Sequence, residues 1–150
     1  ADALEPTRQS SQLPELIRSM QNRYHERGLD IEAGALLAVA LAIAPDALES
    51  VLGNLFDNSL HHGATAVRLK ASFSADQQQL TLSVHDNGQG ISPANRERIF
   101  TPFFITRRNE GGTGLGLEIV ASLLKAYNGT IYLGSAESGA EFILELALTA

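Results

Sequence analysis

The stretch Val67 to Gly90, VRLKASFSADQQQLTLSVHDNGQG, decides the fold. In Val67, Leu69, Ala71 and Phe73, and again in Leu80, Leu82 and Val84, every second residue is apolar with polar neighbours between. Side chains of a strand alternate between two faces, so both runs read as strands with one buried and one solvated face. The polar turn Ser74 to Gln78 joins them as an antiparallel hairpin. A sheet that is polar on one side needs helices on the other.

Those helices are found on either side of the hairpin. A first one is expected from about Pro14 to Glu26, with proline suited to the opening turn and Gly28 to the close. Leu29 to Ile43 carries strand-like material among alanines and leucines. A second helix is expected from Asp46, where Asp46-Ala47-Leu48-Glu49 fits an aspartate-headed capping box, to about His62, with Gly63 as its stop. Beyond the hairpin a short helix is expected after Ser92-Pro93, then a loop from Thr106 to Gly114. A last helix, Leu115 to Tyr127, stops at Asn128-Gly129. Two strands, Thr130 to Leu133 and Glu141 to Leu148, close the chain around a turn ending at Gly139. The expected architecture is a two-layer α/β sandwich, its mixed and mostly antiparallel sheet covered on one face by helices. Residues 13–150 are expected to form one domain. Residues 1–12, polar and aperiodic, are expected to be a linker or the remnant of an upstream helical domain.

Composition narrows the function classes. The chain has 150 residues, 44% of them hydrophobic, enough for one core. A formal net charge of -6 gives no bulk attraction to nucleic acid or an anionic membrane, so a bound phosphate must be held by a local device. With no cysteine there is no disulfide framework and no thiol nucleophile, and His25, His61, His62 and His85 show no recurring ligand spacing. The most apolar run, Leu36 to Ala44, is too short for a bilayer span, and no signal peptide is recognisable.

Three constellations could carry chemistry. In Asn54-Leu55-Phe56-Asp57-Asn58, the two asparagines are an i, i+4 pair on the shoulder of the apolar stripe Leu48, Val51, Leu52, Leu55, with His61 near them and His62 almost inside the stripe. Their amide oxygens suit a hard cation such as magnesium, although two surface asparagines would look the same. In Asp86-Asn87-Gly88-Gln89-Gly90-Ile91, a carboxylate ends a strand. It could accept a hydrogen bond from an exocyclic amine such as adenine's, while the glycines let a flat ring approach and Ile91 packs on its face. An ordinary turn uses the same residues. In Gly111-Gly112-Thr113-Gly114-Leu115-Gly116-Leu117, glycines run straight into a helix, whose free N–H groups suit a polyphosphate. The sequence lacks the lysine of a P-loop and the dinucleotide-binding spacing after a strand. A flexible hinge would share the glycines. Before it, Arg98 to Phe104 holds three phenylalanines, read as core anchors of a loop, and Arg107 and Arg108 could reach a terminal phosphate or simply be solvated.

Taken in order, these blocks resemble the catalytic, ATP-binding domain of sensor histidine kinases, in the superfamily shared with gyrase, the heat-shock chaperone ATPases and the mismatch-repair ATPases. Asn54 to His62 is similar to the N box, Asp86 to Gly90 to the first glycine box, Arg98 to Phe104 to the F box and Gly112 to Leu117 to the second glycine box. The resemblance covers about residues 46 to 148. It implies that Asp86 binds the adenine amino group, that Gly88, Gly90 and Ile91 shape the base pocket, and that Asn58 coordinates magnesium with Asn54 beside it at the triphosphate end. His61 stands where the family often has a lysine or arginine, and His62 where a ring lines the nucleotide. Backbone N–H groups of Gly114, Leu115, Gly116 and Leu117, after Gly112 and Thr113, would cradle phosphates under a short lid from Thr106 to Gly111, with Arg107 and Arg108 as added charge. Near the end of the chain the family usually has Gly-Thr before Phe, whereas this chain reads Gly139-Ala140-Glu141-Phe142. The missing hydroxyl is expected to cost about 1 kcal/mol of base binding.

The implied reaction is transfer of the ATP γ-phosphoryl group to a histidine, for relay to a response-regulator aspartate. No histidine here lies in the expected acceptor motif; His25-Glu26 comes closest and reads as a solvated helix residue. The acceptor is therefore expected on an upstream dimerisation domain, in a protein that dimerises through it while this piece alone is monomeric. A cytoplasmic location follows from the need for ATP and a regulator. Two other readings share these residues. One is a conformational-switch ATPase of the same superfamily, disfavoured because Asn54 stands where such enzymes carry a glutamate. The other is a degenerate nucleotide-binding or partner-docking domain, which Ala140 and His61 keep open.

Overall fold

The computed structural model describes residues 10–34, 39–76, 78–91, 116–134 and 138–149. The chain opens with β1 (Ser11–Gln12), α1 (Leu13–His25), β2 (Asp30–Ala33), β3 (Ala40–Leu41) and α2 (Pro45–His61). The hairpin β4 (Ala66–Phe73) and β5 (Gln79–Asp86) follows, then α3 (Gly116–Ala126), β6 (Thr130–Leu133) and β7 (Glu141–Ala147). Five strands form one sheet in the order β2-β4-β5-β7-β6. Only the β2–β4 pair is parallel among the described residues; β4–β5, β5–β7 and β6–β7 run antiparallel.

The alternation read from the sequence fixes the register. Leu69 lies opposite Val84, and Ala71 opposite Leu82, so the apolar set of each strand falls on one face. Leu80, Leu82 and Val84 then meet Leu146, Leu144 and Phe142 of β7 on that same face. All are buried, together with Ile17 and Met20 of α1, Leu48, Leu52 and Leu55 of α2, and Val120 and Leu124 of α3. The molecule is thus a two-layer sandwich with a mixed sheet and one helical layer. Among the described residues, no helix is long and apolar enough to cross a membrane.

Local details depart from the sequence expectations in two places. The capping box at Asp46 does not form: α2 starts one residue earlier, at Pro45, with Ala44 extended at φ -63, ψ 144 and no side-chain cap. Proline needs no N–H partner and brings a helical φ, so it opens the helix by itself. Asp46 then acts in the first turn, where a negative charge faces the positive end of the helix. Ser11 and Gln12, within the stretch expected to be linker, pair with Leu41 and Ala40 of β3. The Ser11 hydroxyl is buried and donates to the Ile43 carbonyl at 2.6 Å. The expected helix after Ser92-Pro93 lies outside the described residues.

α1 is bound to α2 by a polar seam. The Tyr24 hydroxyl donates to Asp57 Oδ1 at 2.8 Å and Arg27 reaches the same oxygen at 2.9 Å. The Arg27 guanidinium sits 4.9 Å from the Tyr24 ring centroid, and that ring meets Phe56 edge-on at 5.3 Å. Burial first, and then the Asp57 carboxylate, push the Tyr24 hydroxyl up to about 12 from its ordinary 10.0. The folded state therefore holds this proton more tightly than the unfolded chain does. The resulting stabilisation is complete below about pH 10 and is lost as pH rises through about 12. Tyr24→Phe is expected to cost about 1 kcal/mol at neutral pH and to flatten that alkaline loss, as read by thermal unfolding across the alkaline range.

Candidate functional site

The site is built where the end of β5 meets the C-terminal half of α2. Asp86, the last residue of β5, is 3% exposed, yet it is not an isolated buried charge. Its Oδ1 accepts the backbone N–H of Gly88 at 2.9 Å and of Ala140 at 3.0 Å. Its Oδ2 accepts the hydroxyl of Ser59 at 2.7 Å. The Asp86 N–H in turn donates to the Ala140 carbonyl at 2.9 Å, which locks the β5 end to the start of β7. A carboxylate offers about four acceptor positions. Among the described residues three are used, which leaves one on Oδ2.

The loop after Asp86 is held against the end of α2 by backbone. Gln89 N–H donates to the His62 carbonyl at 3.0 Å. At Gly88 a Cβ would stand 2.7 Å from that same carbonyl. The bareness of Gly88 thus serves the fit of loop to helix as well as any ligand. Gly90 lies against the Gly139 carbonyl, and Ile91 packs partly on the core. Asn87 turns away from the site: its Oδ1 accepts the N–H groups of Thr65 and Ala66 at 2.8 and 3.0 Å, which anchors the loop to the start of β4.

On α2, Asn54 and Asn58 are both half-buried and one turn apart. Asn54 donates its amide to the Ser50 carbonyl at 2.7 Å, leaving its oxygen as an acceptor. Asn58 makes no side-chain hydrogen bond among the described residues, so its amide oxygen is open to a ligand. No group of three or more His, Cys, Asp or Glu that could hold a metal occurs among the described residues. A divalent cation here would take one or two protein oxygens and complete its shell with ligand phosphates and water, which fits the coordination habit of magnesium. His61 ends α2 and is half-buried, and His62 is its mostly buried C-cap.

Of the predicted site residues, the structure brings together Asp86, Gly88, Gly90 and the His62 backbone, with Asn54, Asn58 and His61 on the helix that carries Ser59. Gly116 opens α3 and Leu117 packs partly on the core in its first turn. Thr106, Arg107, Arg108, Gly112, Thr113, Gly114 and Leu115 lie outside the described residues, as does Arg98 to Phe104. Sequence reasoning missed Ser59. The signal was present, because Ser59 stands four residues after Leu55, a polar residue inside the apolar stripe.

Residues 43–150 match the family described as histidine kinase-, DNA gyrase B-, and HSP90-like ATPase. The chain belongs to this ATPase family. Over 91 residues it is 41% identical to the sensor histidine kinase CpxA of Escherichia coli strain K12, a match covering 58% of this chain and 20% of that protein. The chain thus matches about a fifth of the length of that relative. The ATP binding domain of PrrB from Mycobacterium tuberculosis shares the fold, with a TM-score of 0.77 at 23% identity over 94% of this chain and 97% of that one. Full-length ShkA, solved in complex with AMPPNP, aligns with a TM-score of 0.69 at 32% identity over 92% of this chain and 30% of that one. The enclosed carboxylate at Asp86 and the half-buried asparagine pair of α2 are both described by the structure, and Ser59, which follows Asn58 on that helix, donates to Asp86.

Proposed function

We propose that this chain is the ATP-binding catalytic domain of a two-component sensor histidine kinase. The observation that carries the reading is the enclosed Asp86 carboxylate, which has one acceptor position left by its three donors among the described residues. Such a group selects a ligand that brings a hydrogen-bond donor, as the adenine amine does. Full-length ShkA, with which this chain aligns, was solved in complex with AMPPNP, which supports ATP as the ligand here. CpxA is a sensor histidine kinase, which supports a histidine as the acceptor.

In this reading Asp86 orients the base, Gly88, Gly90 and Ile91 line its pocket, and the N–H groups of Gly114 to Leu117 receive the phosphates. Asn58, with Asn54 beside it, would hold magnesium, whose charge would offset that of the phosphates. The bond from the γ-phosphorus to the bridging oxygen of ADP breaks as a bond to an imidazole nitrogen forms, and the imidazole proton is released. The protein contributes chiefly position and electrostatics. Arg107 and Arg108 add positive charge near the terminal phosphate. The accepting histidine belongs to a dimerisation domain of the same protein, the phosphoryl group passes to a response regulator, and the whole works in the cytoplasm as a homodimer. A neutral amide cannot take a proton from water, so Asn54 does not supply the general base that a hydrolytic ATPase requires.

Calorimetry of ATP and ADP, with and without magnesium, tests this. The wild type is expected to bind both and to bind ATP more tightly with magnesium. Asn58→Ala is expected to bind ATP equally with and without the metal, keeping the base contact and losing the cation. Failure of the wild type to bind either nucleotide at millimolar concentration would overturn the reading in favour of a docking module.

A further inference from the structure

We infer that Ser59 is a positioning residue for base recognition, fixing the Asp86 carboxylate so that its one open position meets an exocyclic amine. This rests on the nucleotide reading of the site and names the residue that makes it selective. Oδ1 of Asp86 is saturated by the N–H groups of Gly88 and Ala140, both backbone donors that no side-chain change removes. Among the described residues Oδ2 is held by a single side-chain donor, the Ser59 hydroxyl at 2.7 Å. Ser59 is 1% exposed and Asp86 3%, so bulk water cannot take the serine's place without entering the core. The hydroxyl fills one of the two acceptor positions of Oδ2 and thereby dictates the direction of the other.

The position of Ser59 in the chain extends the argument. It follows Asn58 directly on α2, so the helix that presents the amide oxygen for a cation also grips the carboxylate that reads the base. Ser59 and Asp86 are 27 residues apart in sequence, and this bond ties helix to sheet directly. A ligand carrying an amine engages an oxygen already aligned by α2. A ligand without that amine gains nothing from the alignment, because no donor meets the open position.

The test pairs the variant with the ligand. Binding of ATP and of purine riboside triphosphate, which lacks the exocyclic amine, is measured by calorimetry for the wild type, Ser59→Ala and Ser59→Cys. Ser59→Ala is expected to weaken ATP about tenfold, the scale of a hydrogen bond to a charged group, and to leave the deaminated nucleotide within about twofold. Ser59→Cys keeps the volume but offers only a weak donor, so it is expected to resemble the alanine variant rather than the wild type. Equal losses for both nucleotides would show that Ser59 only supports the fold, and would overturn the inference. So would an Ser59→Cys variant that binds ATP like the wild type. A wild type that binds neither nucleotide would remove the nucleotide reading itself, and this inference with it.

Discussion

Asp86→Asn is expected to fold like the wild type and to bind ATP at least about a hundredfold more weakly. The two halves of that result come from one inventory of donors and acceptors. The amide oxygen of asparagine keeps two acceptor positions, and the N–H groups of Gly88 and Ala140 at 2.9 and 3.0 Å hold it where Oδ1 now lies. The amide nitrogen then takes the place of Oδ2, where the Ser59 hydroxyl can rotate and accept from it instead of donating. All internal bonds therefore survive the exchange. The remaining position, however, changes from an acceptor into an N–H donor, which meets the adenine amine donor to donor. Loss of a charge-assisted hydrogen bond and the new opposition amount to about 3 kcal/mol, or a hundredfold. Thermal unfolding and calorimetry read the two halves separately. A variant that binds ATP within threefold of the wild type would disprove the assignment of Asp86 to the base.

Gly139→Ala is expected to be the most destabilising single methyl in the site. Gly139 adopts φ +70, and a Cβ there would be driven into the Asp86 carbonyl. The left-handed backbone costs an alanine about 1–2 kcal/mol, and forcing a group into a filled space costs about 1–3 more. A total of about 3 kcal/mol corresponds to a fall in Tm of about 10 °C for a chain of this size. Because the obstructed carbonyl belongs to Asp86, ATP binding is expected to weaken with it. Gly63→Ala is the matching control. It shares a positive φ, +81, but nothing lies within 4 Å, so only the backbone part should appear. Similar Tm shifts for the two variants would show that close approach at Gly139 carries no weight.

What could be read from the sequence was whatever repeats locally. The alternation of Val67, Leu69, Ala71 and of Leu80, Leu82, Val84 gave the hairpin and its buried face, because strand periodicity needs no distant partner. The i, i+4 spacing of Asn54 and Asn58 gave their common shoulder on α2 for the same reason. Asp86 could be singled out by its place at a strand end, but its three donors could not. They come from Ser59, Gly88 and Ala140, which only the folded sheet brings together. Ala140 entered the sequence reading for a hydroxyl it lacks, whereas its contribution is a backbone N–H. The two-residue strand at Ser11 was illegible because alternation cannot be seen in so short a segment. At Asp46 two start signals competed, and the proline before it prevailed.

That short strand has a mechanical consequence. β3 is gripped from both termini of the described chain: Ser11 and Gln12 lie along it, and Thr149 N–H donates to the Ala40 carbonyl at 3.1 Å. The Ser11 hydroxyl reaches Ile43, two residues before α2 begins at Pro45. A tug on residue 10 is therefore borne in shear by β3 and passed to the root of α2 without first crossing the sheet. Asn58 and Ser59 ride near the far end of that rod, so residue 10 and the grip on the Asp86 carboxylate share one lever.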